Sequence, residues 1–294
     1  MKTKTSLLFL AFILVSSVAA SEKEPRIQVL QVKNDIYMLK GQGGNIGVLV
    51  GKDGVFMIDD QFAPLSAKIK NAIGEISASP IKFLINTHWH GDHVGGNQNF
   101  AHQGSIIVAH KNVRQRMSRE QFIKLFNKKV KPSPESALPV VTFADEIEFH
   151  FNGETAQVIH MPHGHTDGDS IIWFKNSNVI HMGDLFFAGT FPFIDTSSGG
   201  SIDGMINAAN WVLENANRNT RIIPGHGALS TMEDLLAYRN MLVESRKQVK
   251  EAIKGRGDLK RIKGEKVLAK LAEKWGNGFI TQDAFVETIF ESLN

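Results

Sequence analysis

An α/β chain made of two packed β-sheets with helices on their outer faces is predicted by three features of these 294 residues. Two successive runs of short apolar or alternating segments each end in a stretch of helical periodicity, which is the order that stacks sheet on sheet under outer helices. Once an N-terminal leader is set aside, roughly 270 residues remain, enough for one large core. Nothing between the two runs has the composition of an interdomain linker.

The first run holds IQVLQV (27–32), DIYMLKG (35–41), NIGVLVG (45–51) and GVFMIDD (54–60), with Lys52-Asp53-Gly54 as a turn signal between the last two. A helix is expected over 64–77, then IKFLINT (81–87) as a buried strand. GQGGN (41–45) is read as a strand-linking turn, because no helix carrying a lysine follows it as a phosphate loop requires. The basic stretch 111–129 has a helical pattern, and PSPESALP (132–139) reads as a loop. The second run comprises FADEIEFHFNG (143–153), AQVIHMP (156–162), SIIWFK (170–175) and NVIHMGD (178–184). A helix over 203–218 and a strand with a turn at RIIPGHG (221–227) follow. From 231 onward the periodicity is helical, with Thr281 as cap of a last helix whose inner face is Phe285, Ile289 and Leu293. The segment 246–274 holds eleven Lys and Arg against four acidic residues, expected to be solvated faces of amphipathic helices, with contact to an anionic surface as the alternative.

Residues 1–20 do not belong to this fold. Lys2 and Lys4 precede the apolar run SLLFLAFILV (6–15) and the small residues SSVAA (16–20), and Val18 and Ala20 fit the −3 and −1 positions of a secretory signal peptide. Its nine strictly apolar residues, 7–15, fall short of the roughly 20 that span a bilayer. The expectation is an exported chain, periplasmic or secreted, without a stable membrane anchor after cleavage. Residues 21–294 are then a single domain ending in helices from about 246. Without Lys2 and Lys4 the 33 Lys and Arg become 31, against 30 Asp and Glu, and this balance gives no reason to expect nucleic acid as partner. The absence of cysteine excludes disulfides, a lipidated cysteine anchor and any thiolate nucleophile or metal ligand.

The chemistry concentrates in THWHGDHVGGN (87–97). If the strand before it continues towards Trp89, His88 and His90 point the same way, since strand side chains alternate. Gly91 permits a sharp turn that brings Asp92 and His93 to the same place. Neutral imidazoles with a carboxylate suit zinc. Further candidates sit at other strand ends: His165 in GHTDGDS (164–170), Asp184 in HMGD (181–184) and His226 in PGHG (224–227). His163 competes with His165; the Gly-His-Thr turn favours His165 as ligand and leaves His163 beside it or in the pocket wall. His102, His110, His150, His160 and His181 lie in ordinary helical or strand contexts and are expected to be structural or on the surface.

His88-x-His90-x-Asp92-His93 followed by His165, Asp184 and His226 resembles the metallo-β-lactamase superfamily in order and local context over roughly residues 27–245. The resemblance implies an αββα four-layer sandwich with a two-zinc site at one edge of the sheets. It assigns His88, His90 and His165 to the first zinc, Asp92, His93 and His226 to the second, and Asp184 as the bridge, which makes Asp92 and Asp184 the catalytic carboxylates. Asp59 matches an aspartate that orients a metal ligand from behind. Two such ions activate a shared water and polarise a carbonyl, so no serine or cysteine nucleophile is required. DTSSGGS (195–201) is accordingly read as a glycine-rich loop.

Asp184 is the residue most informative about substrate. An aspartate there resembles glyoxalase II, lactonases and phosphodiesterases, whereas β-lactamases of the superfamily usually carry cysteine or serine in that region. The expected activity is cleavage of an ester, lactone, thioester or amide in a small molecule. β-Lactam hydrolysis, a mononuclear-iron persulfide dioxygenase and a non-enzymatic periplasmic zinc-binding protein are the alternatives. Phe186, Phe187, Phe191 and Phe193, with Phe62 and Trp89, are candidates for an apolar pocket wall as well as for core. No basic residue is singled out by sequence to hold a substrate carboxylate or phosphate.

Overall fold

A computed structural model describes residues 26–255 and 258–293; the expected signal segment, 1–20, lies outside the described residues. Four short strands, β1 (Gln28–Lys33), β2 (Ile36–Lys40), β3 (Ile46–Leu49) and β4 (Val55–Ile58), pair antiparallel in sequence order. Helix α1 (Ser66–Gly74) then crosses over to β5 (Ile81–Asn86), which runs parallel to β4. The short helices α2 (Gly91–Val94) and α3 (Asn97–Ala101) lead to β6 (Ile106–His110), again parallel. After α4 (Lys111–Met117) comes a hairpin of β7 (Gln121–Ile123) and β8 (Lys128–Val130), and β9 (Val141–Phe143) closes a 7-stranded sheet.

The second sheet has 5 strands. β10 (Glu146–Phe151), β11 (Glu154–His160), β12 (Ser170–Phe174) and β13 (Val179–Phe187) are antiparallel neighbours, and helix α5 (Ile202–Asn215) crosses to β14 (Arg221–His226), parallel to β13. Helices α6 (Met232–Lys254), α7 (Leu259–Gly264), α8 (Ala269–Trp275) and α9 (Gln282–Leu293) complete the chain.

Strand alternation shows that the layers are four. In β4, Phe56 and Ile58 join a core cluster with Val158, Ile172 and Phe174 of the other sheet, while Val55 and Met57 pack on Ile69 and Ile73 of α1 and Phe100 of α3. In β12 and β13, Ile171 and Ile180 face a third cluster with Met205 of α5, Leu235 of α6 and Phe285 of α9. Three apolar clusters separate four layers, helix–sheet–sheet–helix, which is the αββα sandwich expected. The β4 strand is buried on both faces, and its uninterrupted VFMI reflects that.

Thr281 caps the last helix as expected, its hydroxyl accepting from the Ala284 N–H at 3.2 Å. Phe285 and Ile289 are buried and Leu293 half-buried. The basic helices are largely solvated, with Arg246, Arg261, Lys263 and Lys266 paired to Asp203, Glu265, Glu287 and Asp283. Among the described residues no helix is long and apolar enough to cross a membrane.

Two expectations fail. The helix expected over 111–129 ends at Met117, and 121–130 is the β7–β8 hairpin instead. Asn127 turns that hairpin at φ 47°, a conformation asparagine tolerates better than most residues. Buried Ile123 anchors the hairpin to the third cluster, so tertiary packing overrides the helical pattern. Strand β6 was absent from the expected elements; its IIVA is too short an apolar run for periodicity to classify.

Candidate metal centre

All the candidate metal ligands converge at one edge of the two sheets, past the carboxyl ends of β4, β5 and β14. β5 stops at Asn86, so His88, His90, Asp92 and His93 lie on the following loop and on α2 rather than on a continued strand. His165 comes from the β11–β12 loop, and His226 ends β14. Asp184 lies inside β13, just past a break in register where Gly183 adopts φ 51°. A Cβ on Gly225 would collide with Asp184 Oδ1, so glycine there is the condition for β14 to approach.

Distances divide the ligands into two sets. His90 Nδ1 lies 3.1 Å from His88 Nε2 and 2.8 Å from His165 Nε2. Asp184 Oδ2 faces this trio, 3.6 Å from His165 Nε2 and 3.9 Å from His88 Nε2. Its other oxygen, Oδ1, is 3.1 Å from His93 Nε2 and 3.4 Å from His226 Nε2. Asp92 Oδ2 closes the second set at 3.5 Å and 3.3 Å from the same two nitrogens. A tetrahedral shell with bonds of about 2.0–2.2 Å has edges of about 3.3–3.6 Å. The second set, at 3.1–3.5 Å, comes close to such a shell and the first, at 2.8–3.9 Å, brackets it, so the two sets fit two coordination shells that share one carboxylate.

The hydrogen-bond network tests whether a cation fits. His165 Nδ1 donates to the Phe193 carbonyl at 2.7 Å, and His90 Nε2 donates to Asp195 Oδ2 at 3.0 Å. Thr87 Oγ1 donates to Asp59 Oδ2 at 2.7 Å and accepts from His88 Nδ1 at 3.0 Å. His93 Nδ1 donates to Asp59 Oδ2 at 2.7 Å. With a metal ion bound, each of these four rings would keep its proton on the outer nitrogen and aim a lone pair inward. Without one, burial opposes a charge on His93, but Asp184, Asp92 and Asp59 outweigh it and hold that ring well above its ordinary pKa. Lone pairs 2.8 Å apart repel unless a cation stands between them. His93 Nε2 and Asp184 Oδ1 are buried without a hydrogen-bond partner, as metal-facing atoms would be.

Electrostatics agree. Burial, reinforced by the neighbouring imidazoles, holds His88 well below its ordinary pKa and His165 down at about 4. Burial opposes the charge on Asp184, but His226 and His93 outweigh it and keep the carboxyl well below the usual range. Asp92 is lowered to about 2, burial again being outweighed, here by His93 and His226. Burial also works against charge on His226, yet Asp184 and Asp92 push it up to about 9. The carboxylates demand positive charge at this spot, which a metal ion supplies as well as a proton.

Asp59 is held at φ 60°, where a non-glycine residue is rare. There its carboxylate takes the Thr87 N–H at 2.8 Å as well as the Thr87 hydroxyl and His93. Asp195, which the reading of 195–201 as a plain loop passed over, is its counterpart behind His90. Its oxygens also accept from the Ser197 and Ser198 hydroxyls, both at 2.6 Å. Nothing in DTSS marks that role; only the fold carries this loop back to His90. Asp195→Asn is expected to weaken metal binding about 10–100-fold, measured by chelator competition. An unchanged affinity would show that His90 needs no such support.

The pocket residues separate. Phe62, Trp89 and Phe193 line a cavity of about 250 Å³ with His90, Asp92, Asp184 and His226. Phe187 stacks on the His226 ring at 5.1 Å. Phe186 and Phe191 correct the expectation: they turn into the helical layer, against Tyr238 at 4.9 Å and Phe285 at 4.7 Å. Alternation along β13 sends Phe186 and Phe187 to opposite faces. His163 stands apart too, exposed with Nδ1 3.1 Å from the Gly199 carbonyl. The hairpin adds Ile123, Phe126, Lys128 and Val130 to the wall, and Phe279 comes from the loop before α9.

Fold and site together define a four-layer sandwich carrying, at the sheet edge, a His/Asp cluster of three overlapping ligand groups able to hold metal ions. His88, His90 and His165 stand at one end, Asp92, His93 and His226 at the other, and His88, His93 and Asp184 between them. The family model of the metallo-beta-lactamase superfamily matches residues 39–244, and the chain belongs to that superfamily. It is 24% identical over 176 residues to the 2,4-dinitroanisole O-demethylase subunit alpha of Nocardioides sp. (strain JS1661), covering 58% of this chain and 50% of that one. It is 32% identical over 106 residues to the hydroxyacylglutathione hydrolase of Methylococcus capsulatus, covering 36% of this chain and 34% of the relative. The chain thus spans half, or about a third, of the length of these relatives. The DIM-1 metallo-beta-lactamase structure superimposes with a TM-score of 0.61 at 17% identity, over 75% of this chain and 99% of that one, a likeness of fold.

Proposed function

We propose that the protein is a zinc-dependent hydrolase that cleaves an ester, lactone, thioester or amide in a small molecule. The observation that carries this reading is Asp184, whose two oxygens each face a separate set of ring nitrogens beneath an open apolar cavity. His88, His90 and His165 would hold one ion and Asp92, His93 and His226 the other, with Asp184 between them. When bound, two zinc ions supply Lewis acidity and a water acidified to a pKa near 7.

The chain's own contribution is position and charge. Asp59 and Asp195 lock the rings of His93 and His90. The Asp92 carboxylate reaches the cavity, and its pKa, held at about 2 by His93 and His226 against burial, keeps it ionised near neutrality. Phe62, Trp89 and Phe193 exclude water and hold an apolar substrate beside the carboxylates. Among the residues lining the cavity there is no serine, threonine or cysteine, so attack by a hydroxyl or thiol of the protein finds no candidate.

Metal analysis of the purified protein, with a hydrolysis screen over those four bond classes and β-lactams, tests the reading. About two zinc ions per chain, turnover of at least one class, and loss on chelation with recovery on zinc addition are expected. A single iron with oxygen consumption would replace it with the dioxygenase alternative, and metal uptake without any turnover with the zinc-binding one.

A further inference from the structure

The cavity over the carboxylates has one feature that the proposed hydrolase chemistry does not use. Besides Gly91 and the polar residues of the metal cluster, its wall is Phe62, Trp89, Ile123, Phe126, Val130, Phe193 and Phe279, all apolar, and Lys128. The β7–β8 register explains why a lysine is there. Ile123 pairs directly with Lys128 and Gln121 with Val130, so Ile123, Lys128 and Val130 share one face of the hairpin. Phe122 and Lys129 share the opposite face, away from the cavity.

The other lysines of this hairpin are committed elsewhere. Lys124 pairs with Glu291 at 2.6 Å and Lys129 with Glu120 at 3.5 Å. Among the described residues Lys128 has neither a carboxylate nor a hydrogen-bond partner for its ammonium group. Lys128 is exposed, so it stands at the rim of this apolar wall, and a cation there without an internal partner is the arrangement that selects an anionic group on an incoming ligand. The aromatic wall, including Phe126 packed on Phe193 at 4.9 Å, meanwhile takes the rest of the molecule.

We propose that Lys128 is the specificity-determining residue of this pocket, and that its substrates are small apolar compounds carrying a carboxylate remote from the bond cleaved. The inference rests on the hydrolase reading for turnover but not for binding, and its test separates the two.

Zinc-loaded wild type and the variants Lys128→Gln, Lys128→Arg and Lys128→Glu are compared on a matched pair of esters. The pair is 4-nitrophenyl hexanoate and the mono-4-nitrophenyl ester of hexanedioic acid, which differ by a terminal carboxylate. Wild type is expected to show the lower KM for the carboxylate ester. The KM ratio should fall about three- to tenfold in Lys128→Gln, persist in Lys128→Arg and reverse in Lys128→Glu. Lys129→Gln, on the other face of the hairpin, keeps the wild-type ratio and controls for loss of charge or fold. In parallel, calorimetric titration with 6-phenylhexanoate and 6-phenylhexan-1-ol gives the same comparison without turnover. No carboxylate preference in wild type, or one that Lys128→Gln retains in both assays, overturns the proposal. If neither ester is cleaved while the binding preference follows Lys128, the anion site stands, and the hydrolase reading falls only if the screen over the four bond classes and β-lactams also finds no turnover.

Discussion

Asp184→Asn is expected to lower kcat/KM about a thousandfold or more on whichever substrate the screen identifies and, on the proposed two-zinc reading, to reduce bound metal below the wild-type content. The side chain keeps its shape, so the packing around Gly183 and Gly225 survives, and the loss isolates the negative charge. Asp184 is buried, and its two oxygens are spoken for by opposite sets, His88 and His165 on one side and His93 and His226 on the other. A neutral amide presents an N–H to one set where a lone pair stood, so one ion loses a ligand and the other loses charge compensation. Metal content and steady-state kinetics on the same preparation check this. A variant that retains two zinc ions and near wild-type turnover would show that the two sets work independently.

Phe56→Ala is expected to cost about 3–5 kcal/mol of stability, read as a shift of the denaturant midpoint. Phe56 is fully buried between the sheets, with its ring against Phe149 at 5.2 Å, Phe174 at 5.9 Å, Phe83 at 6.3 Å and Phe151 at 6.4 Å. These partners come from both sheets, so the cavity left cannot close by moving one strand. Because β4 leads directly into Asp59, the same variant is expected to weaken metal binding. A loss below about 1 kcal/mol would mean that the sheets do not meet at this residue.

The fold was legible where periodicity had length to speak. Strands β1 to β4 and β10 to β13, helices α1, α5 and α6 and the capped α9 fall close to their expected places, because alternating or 3.6-residue patterns run through them. The 121–130 hairpin escaped for a physical reason: its lysines and phenylalanines fit a helix as well as a strand pair. The choice was made by Ile123 packing into the core and Asn127 turning the chain. Phe186, Phe187 and Phe191 carried no sequence mark separating them from Phe193; only the direction of each side chain on the folded strand and loop puts Phe193 on the pocket wall and the other three in the core, Phe187 against the His226 ring.

By itself, the order His88-x-His90-x-Asp92-His93, His165, Asp184, His226 determined which residue types would meet and the class of chemistry they suit, since ligand identity is a property of side chains. Only the tertiary structure decided how they divide. Division into two sets depends on which oxygen of Asp184 faces which ring, and that follows from the break in β13 and the close approach at Gly225. The same holds for Asp195 behind His90 and Lys128 over the cavity, each brought there by a loop or hairpin whose path is set by packing far from it in sequence.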